Sequence, residues 1–158
     1  MAERLEVEHR AVRAWLERVR RASAAIEPAV RELAGLEAAR DQMLSWRTAG
    51  SGASTATHCD PTAAAAEARM GELDALIADA EHRLEVLQDV VGECGTLLAR
   101  MAESLGDEHA RALELYYLDL APTWSDVAWE MGVSRQWLSK MRAKAYGWIE
   151  QSHKKIFA

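Results

Sequence analysis

The sequence contains few of the residues that interrupt helices or cross-link a chain. Its 158 residues include only 3 Pro, 9 Gly and 2 Cys, while 49% of the residues are hydrophobic. This composition favours a folded, mostly helical protein. The two cysteines, Cys59 and Cys94, lie far apart in the sequence. They therefore indicate neither a disulfide framework nor a metal-spaced set, and we expect a cytoplasmic protein with reduced thiols.

The sequence also predicts neither a targeting segment nor a membrane anchor. The first residues, MAERLEVEHR, are charged from the third position onward and include no apolar core, so we expect no signal peptide. No apolar run approaches the roughly 20 residues that a membrane helix needs. We expect no membrane partner.

Motifs typical of enzymes are absent as well. The sequence has no Gly-rich phosphate loop and no nucleophile next to a base, and its five histidines are scattered. His58, Cys59 and Asp60 are adjacent, and three adjacent residues cannot close a tetrahedral metal site. We therefore expect a protein that is not an enzyme, with no cofactor and no metal.

Two long segments carry apolar residues at heptad spacing, which is typical of coiled-coil or bundle helices. The first covers residues 4–47 and the second residues 63–105. The apolar positions of the first are Leu5, Val12, Trp15, Val19, Ala22, Ile26, Ala29, Leu33, Leu36 and Met43. Those of the second are Met70, Leu73, Ile77, Ala80, Leu84, Leu87, Val91, Cys94, Leu98, Met101 and Leu105. We name these two sets the seam; Cys94 is thus expected to be a small core residue.

The segment between the two helices, residues 48–62, is rich in Gly, Ser, Thr and Ala and predicts a flexible connection. Pro28 interrupts the first helix and predicts a kink or a restart near Glu27. The simplest arrangement is a long antiparallel, coiled-coil-like hairpin over residues 1–105. The seam requires only an apolar partner, so pairing with a second copy of the chain is an open alternative.

The C-terminal part, residues 106–158, predicts a three-helix domain that contains a helix-turn-helix. Gly106-Asp107 ends the second long helix, and the following helix presents Leu113, Tyr117 and Leu118 to the domain core. The stretch from Thr123 to Arg142 then predicts two helices around a three-residue turn. Thr123 or Ser125 is expected to cap the first helix and Ser134 the second, with Gly132 at the point where the chain leaves the first helix.

The apolar residues of the last helix share one face, and polar residues occupy the other. Residues on the outer face are of the types that hydrogen-bond base edges and phosphates. We expect Arg135, Gln136 and Ser139 to read bases, and Lys140, Arg142 and Lys144 mainly to contact phosphates. The full predicted double-stranded DNA interface is Thr123, Ser125, Ser134, Arg135, Gln136, Ser139, Lys140, Arg142, Ala143 and Lys144.

The charge distribution agrees with this placement. The whole chain has a net charge of -6, but residues 123–158 hold 6 Lys and Arg against 3 Asp and Glu. Residues 1–122 hold 13 and 22, so the basic excess is confined to the C-terminal segment. Only that segment is expected to meet DNA phosphates.

The stretch ALELYYLDLAPTWSDVAWEMGVSRQWLSKMRAKAYGWIE resembles the helix-turn-helix of sigma-factor region 4. The residues that carry the resemblance are Leu113, Tyr117, Trp124, Val127, Ala128, Gly132, Ser134 and Met141. The whole chain is similar to phage late transcriptional regulators of the RinA/ArpU type, in which a long helical hairpin precedes such a domain. Tyr116 and Trp137 depart from the expected pattern. The resemblance implies regulation of phage or prophage late genes through promoter binding, with RNA polymerase as a further partner.

Two alternatives stay open at this point. A small-terminase-like DNA-packaging protein also joins DNA-binding helices to an oligomerising coil, and a ring-sized mass in solution would identify it. A helical scaffold that binds only proteins would show no salt-dependent affinity for DNA.

Overall fold

The computed structural model describes residues 9–50 and 61–154, and all regular structure in these residues is helical. The all-α prediction is confirmed for this part of the chain. The α-helices are α1 (Arg10–Gly50), α2 (Pro61–Leu105), α3 (Asp107–Leu113), α4 (Trp124–Met131) and α5 (Arg135–Ser152). A π-helical turn, Glu114–Leu118, follows α3 directly. None of the described helices has the length and apolarity needed to cross a membrane.

The two long helices extend further into the predicted connection than the sequence indicated. α1 continues to Gly50 and α2 begins at Pro61, so both ends of the predicted 48–62 connection are helical. The rest of that connection, with His58, Cys59 and Asp60, lies outside the described residues.

The restart predicted near Glu27 does not occur, because α1 is one continuous helix with Pro28 inside it. Pro28 is exposed, and so is Ala24, whose carbonyl loses its hydrogen bond to the residue four positions later. Water can solvate that carbonyl at an exposed position, so the helix tolerates the proline.

The chain divides into two compact units, and the division differs from the predicted boundary at residue 105. One unit combines residues 9–25 with 87–154, and the other comprises residues 26–86. The predicted boundary assumed that the C-terminal helices form a core of their own. They instead share a core with the adjoining turns of α1 and α2, which explains the difference.

Within residues 26–86 the two long helices pair in antiparallel fashion. Ion pairs join Glu32 to Arg83 at 3.0 Å and Arg47 to Glu67 at 3.2 Å, so rising residue numbers on α1 meet falling numbers on α2. Few side chains of this unit are buried in the described chain. Only Ile77 and Ala80 are buried among its described residues. Its exposed large apolar residues are Val30, Leu44, Trp46, Leu76 and Val86.

The seam prediction is confirmed for the described residues. Each of its eleven positions on α2 is buried or half-buried, as is each described position on α1. Cys94 is fully buried, and burial raises the pKa of its thiol to about 12. The thiol therefore stays protonated at neutral pH and behaves as an apolar core group.

Residues 9–25 and 87–154 contain two apolar clusters. The first, which we name the shared core, joins α1, α2, α5 and the α3 region, by which we mean α3 together with the π-helical turn (residues 107–118). Its buried members are Val12, Trp15, Leu16, Val19, Cys94, Leu97, Leu98, Met101, Ala110, Leu113, Tyr117, Ala145, Tyr146 and Ile149. The second, which we name the turn core, lies between the α3 region, α4 and α5. Its buried members are Ala112, Leu115, Val127, Ala128, Leu138 and Met141.

The structure corrects the predicted inner face of the third helix. Leu113, Tyr117 and Leu118 were expected to cover the core of the two C-terminal helices, but they pack in or against the shared core. Ala112 and Leu115 cover the turn core instead. Because this helix is buried between two clusters, it presents apolar residues to both, and its sequence pattern alone does not distinguish them.

Two tyrosine hydroxyls meet inside the shared core. The Tyr117 and Tyr146 oxygens are 2.8 Å apart, and both side chains are almost fully buried. Arg142 also reaches the Tyr146 hydroxyl, through Nε and Nη2 at 3.4 Å each. Burial, and secondarily Tyr146, raise the pKa of Tyr117, so its phenol remains protonated. The pair gives the buried Tyr117 hydroxyl a hydrogen-bond partner that it would otherwise lack.

Tyr146→Phe is expected to destabilise the protein by about 1–3 kcal/mol, because it leaves the Tyr117 hydroxyl buried without a partner. Tyr117→Phe should cost less, since Arg142 still contacts the Tyr146 hydroxyl. The double variant should be less destabilised than Tyr146→Phe alone, because no unpaired hydroxyl remains. Urea unfolding of the four proteins measures these free energies. Additive losses would show that the two hydroxyls are not energetically coupled and would contradict a stabilising pair.

Candidate nucleic-acid interface

Thr123, not Ser125, caps α4. The Thr123 hydroxyl accepts a hydrogen bond from the Asp126 backbone N–H at 3.2 Å, and the Thr123 N–H donates to the Asp126 carboxylate at 3.0 Å. This reciprocal capping box satisfies two of the backbone groups that a helix start leaves open. The start of α4 is therefore fixed by its own sequence.

The turn between α4 and α5 has the three residues that the sequence predicted. Gly132 adopts φ 67° and ψ 32°, a left-handed conformation that suits a residue without a side chain. Its N–H donates to the Trp129 carbonyl, and the Val133 N–H donates to the Ala128 carbonyl at 3.0 Å, which is a Schellman ending. Ser134 then caps α5 by accepting from the Trp137 N–H at 3.1 Å.

The buried face of α5 determines which residues point outward. Leu138 and Met141 lie in the turn core and Ala145 in the shared core. Tyr146 and Ile149 are also buried in the shared core. At 3.6 residues per turn, positions 135, 139 and 142 form one row, which continues into the buried Tyr146, and positions 136, 140 and 143 form the adjacent row. These two rows hold six of the ten predicted interface residues. We name them the outer rows of α5.

The predicted interface residues differ in their exposure. Ser125, Arg135, Gln136, Lys140 and Lys144 are exposed, as are the capping residues Thr123 and Ser134. Ser139, Arg142 and Ala143 are half-buried. The structure thus leaves Arg135, Gln136, Lys140 and Lys144 accessible on α5, whereas Arg142 is half-buried.

Three of these residues also make contacts within the protein; the sequence predicted the two helix caps but not the contact of Arg142. The Thr123 and Ser134 hydroxyls are used by the helix caps. The Arg142 guanidinium lies over the Trp124 ring, 3.8 Å from its centroid. Their predicted contacts with DNA therefore have to coexist with structural roles inside the protein.

The first three turns of α5 are strongly cationic. Residues 135–145 include two arginines and two lysines and no Asp or Glu. Lys144 lies beside His109 of α3, whose pKa is lowered by burial and then by the lysine charge. His109 is accordingly neutral near pH 7 and adds no charge of its own to this surface.

Trp129 and Trp137 are exposed in the described chain, although the aromatic residue type favours packing. Trp129 is 86% exposed and Trp137 is 41% exposed. Trp129 follows Val127 and Ala128, which are buried, and precedes Met131, so it lies on the opposite side of α4. The helical spacing indicated that Trp129 lies away from the buried face of α4, whereas its aromatic residue type favoured burial.

Within the described residues, no group of His, Cys, Asp and Glu side chains is arranged to hold a metal ion. Comparisons with protein-family models, curated proteins and solved structures gave no match. Function is therefore inferred from the geometry and chemistry of α4, α5 and the turn between them.

Gly132→Ala is expected to destabilise the protein by about 1 kcal/mol, because an alanine at φ 67° is strained even where space is open. Gly71→Ala is the matched control. Gly71 is exposed inside α2 and also has open space, and its helical backbone should make alanine stabilising by about 0.5–1 kcal/mol. Thermal unfolding of both variants should show shifts of opposite sign. Shifts of the same sign would contradict the left-handed turn.

Stability is expected to fall as the pH drops below about 6.5, the ordinary pKa of histidine. Burial lowers the pKa of both His109 and His153 in the folded protein. The unfolded chain then binds protons in a pH range where the folded protein does not, which favours unfolding. His109→Gln with His153→Gln should flatten the dependence of the urea midpoint between pH 7.5 and 5.5. An unchanged slope in the double variant would contradict this assignment.

Proposed function

We propose that α4, the turn and α5 form a helix-turn-helix that binds double-stranded DNA with sequence specificity, with α5 in the major groove. Such motifs place the N-terminal residues of the second helix against base edges. Arg135 and Gln136 are the first two residues of α5, and both are exposed. This accessible pair at the start of the helix is the observation that carries the proposal.

The chemistry of the outer rows supports base reading. Arginine forms bidentate hydrogen bonds with guanine, and glutamine does so with adenine. Arg135 and Gln136 begin the two outer rows, so both belong to the surface that these rows form. Ser139 and Ala143 follow them at helical spacing, and their small side chains allow the helix to approach the bases closely.

Electrostatics supports the same orientation. The cationic stretch 135–145 lies in the part of the chain that carries the basic excess, whereas residues 1–122 are strongly acidic. DNA phosphates would attract the first and repel the second. Lys140 and Lys144 are exposed and provide the mobile cations that such contacts need.

At the level of the cell, we propose a regulator of phage or prophage late genes that acts through promoter binding and contact with RNA polymerase. This part depends on the resemblance of residues 112–150 to sigma-factor region 4 and of the whole chain to RinA/ArpU-type regulators. The domain order supports it, since a long antiparallel helix pair precedes the proposed helix-turn-helix.

Self-association through residues 26–86 is part of the same proposal. That unit buries only Ile77 and Ala80 among its described residues and exposes five large apolar side chains. A two-helix pair with so little buried surface gains stability when a further helical surface covers it. A second copy of the chain offers such a surface.

Selection of bound sites from a random duplex pool, followed by affinity measurements, tests DNA binding. Arg135→Ala is expected to cost about 1–3 kcal/mol on the selected site and to relax the base preference at one position, because a bidentate contact with guanine is lost. Lys144→Ala should weaken selected and unrelated duplexes alike and reduce the salt dependence of log K by about 0.9.

Arg31→Ala is a control, because Arg31 is exposed on α1 and pairs with Glu27 far from α5 in the sequence. This variant should bind as the unaltered protein does. Equal affinities of all variants for every duplex would overturn the proposed interface, and the absence of any salt-dependent affinity for DNA would favour a scaffold that binds only proteins.

A further inference from the structure

Four side chains form a continuous stack that ends on α5. The Arg20 guanidinium of α1 lies over the Tyr116 ring, 4.1 Å from its centroid. The Tyr116 ring stacks on Trp124 with centroids 4.0 Å apart and planes at 17°. The Arg142 guanidinium covers Trp124 at 3.8 Å. Two cations thus enclose two aromatic rings, and each cation is attracted by the ring face that it covers.

Arg20 also holds the backbone at the end of the π-helical turn. It donates hydrogen bonds to the carbonyls of Tyr116 and Ala121, the second from Nη2 at 3.0 Å. Between these carbonyls, Leu120 adopts φ 62°, which is costly for a leucine. The Arg20 fork therefore stabilises a strained segment that leads directly into α4. It connects α1 to the start of α4 through both the backbone and the rings.

Arg142 stands at the edge of the surface proposed to meet DNA. It shares an outer row with Arg135 and Ser139 and follows Arg135 by seven residues, about 10 Å along the helix axis. Its Nε and Nη2 reach the Tyr146 hydroxyl only at 3.4 Å, and among the described residues no protein acceptor contacts Nη1. A guanidinium with one face on an indole keeps its edge available for an anion.

We infer that the Arg20–Tyr116–Trp124–Arg142 stack holds Arg142 in place as a contact for a DNA phosphate, so that Arg20 and Tyr116 are positioning residues for DNA binding. This inference rests on the proposed function. A free arginine side chain loses rotamer entropy when it binds a phosphate, and the stack imposes that loss before DNA arrives. Arg20 itself lies on α1, outside the proposed interface.

The salt dependence of DNA affinity tests the inference, with the full chain and the duplex obtained by selection. Arg142→Ala should reduce the slope of log K against log salt by about 0.9, the value for one lost phosphate contact. Arg20→Gln and Tyr116→Leu should change the slope in the same direction. Each should weaken binding roughly 2- to 5-fold, which is the effect of one cation–π contact.

Two matched controls separate positioning from general stability. Tyr116→Phe keeps the ring and should bind as the unaltered protein does. Arg21→Gln removes an exposed arginine next to Arg20 on the same helix and should also leave affinity unchanged. Thermal unfolding of every variant confirms that the affinities compare folded proteins. If Arg20→Gln does not fold, Tyr116→Leu tests the positioning of Arg142 in its place.

A double variant gives the decisive comparison. The protein with both Arg20→Gln and Arg142→Ala should bind DNA no more weakly than Arg142→Ala alone, because the Arg142 side chain that Arg20 positions is already absent. Additive losses, or a lower unfolding temperature with an unchanged salt slope, would reduce Arg20 to a structural residue and overturn the inference. If Arg135→Ala loses specificity while Arg142→Ala has no effect, only this inference fails. If the unaltered protein binds no duplex, the proposed function fails and the inference fails with it.

Discussion

The burial of the α3 region between two apolar clusters is the constraint on which the unit of residues 9–25 and 87–154 depends. One side of this helix contributes Leu113 and Tyr117 to the shared core, and another contributes Ala112 and Leu115 to the turn core. A helix that is apolar on several sides has to be enclosed. Its position therefore fixes α5 against both α1 and α4. The outer rows of α5 are residues that do not belong to either apolar cluster.

Polar contacts then refine an arrangement that apolar packing sets in outline. The Tyr117–Tyr146 hydroxyl pair lies inside the shared core, and Arg142 connects it to the Trp124 ring. Such contacts add little net free energy, but a buried polar group accepts only arrangements in which it has a partner. They favour one orientation of α4 and α5 over others that would bury similar apolar area. The stack that ends at Arg142 extends these orienting contacts to the edge of the proposed DNA surface.

The described residues 26–86 show the opposite balance. They pair through the seam and through surface ion pairs such as Glu32–Arg83, which contribute little each. Large apolar side chains stay exposed beside a very small buried set. Residues 26–86 thus form an acidic, sparsely packed helix pair, whereas the unit of residues 9–25 and 87–154 is well packed and includes a cationic helix.

The sequence by itself determined the features that depend on local chemistry. Heptad spacing located the seam, and the types of Gly132 and Ser134 located the turn and the cap of α5, because these signals act within a few residues. For the cap of α4 the sequence left Thr123 and Ser125 as alternatives, and the structure has Thr123. Which cluster Tyr117 joins, that Trp129 stays in solvent, and that Arg20 reaches the stack were decided only by the tertiary structure. Periodicity shows that a face needs an apolar partner without identifying it, and a contact across 96 residues, such as that of Arg20 with Tyr116, leaves no local pattern.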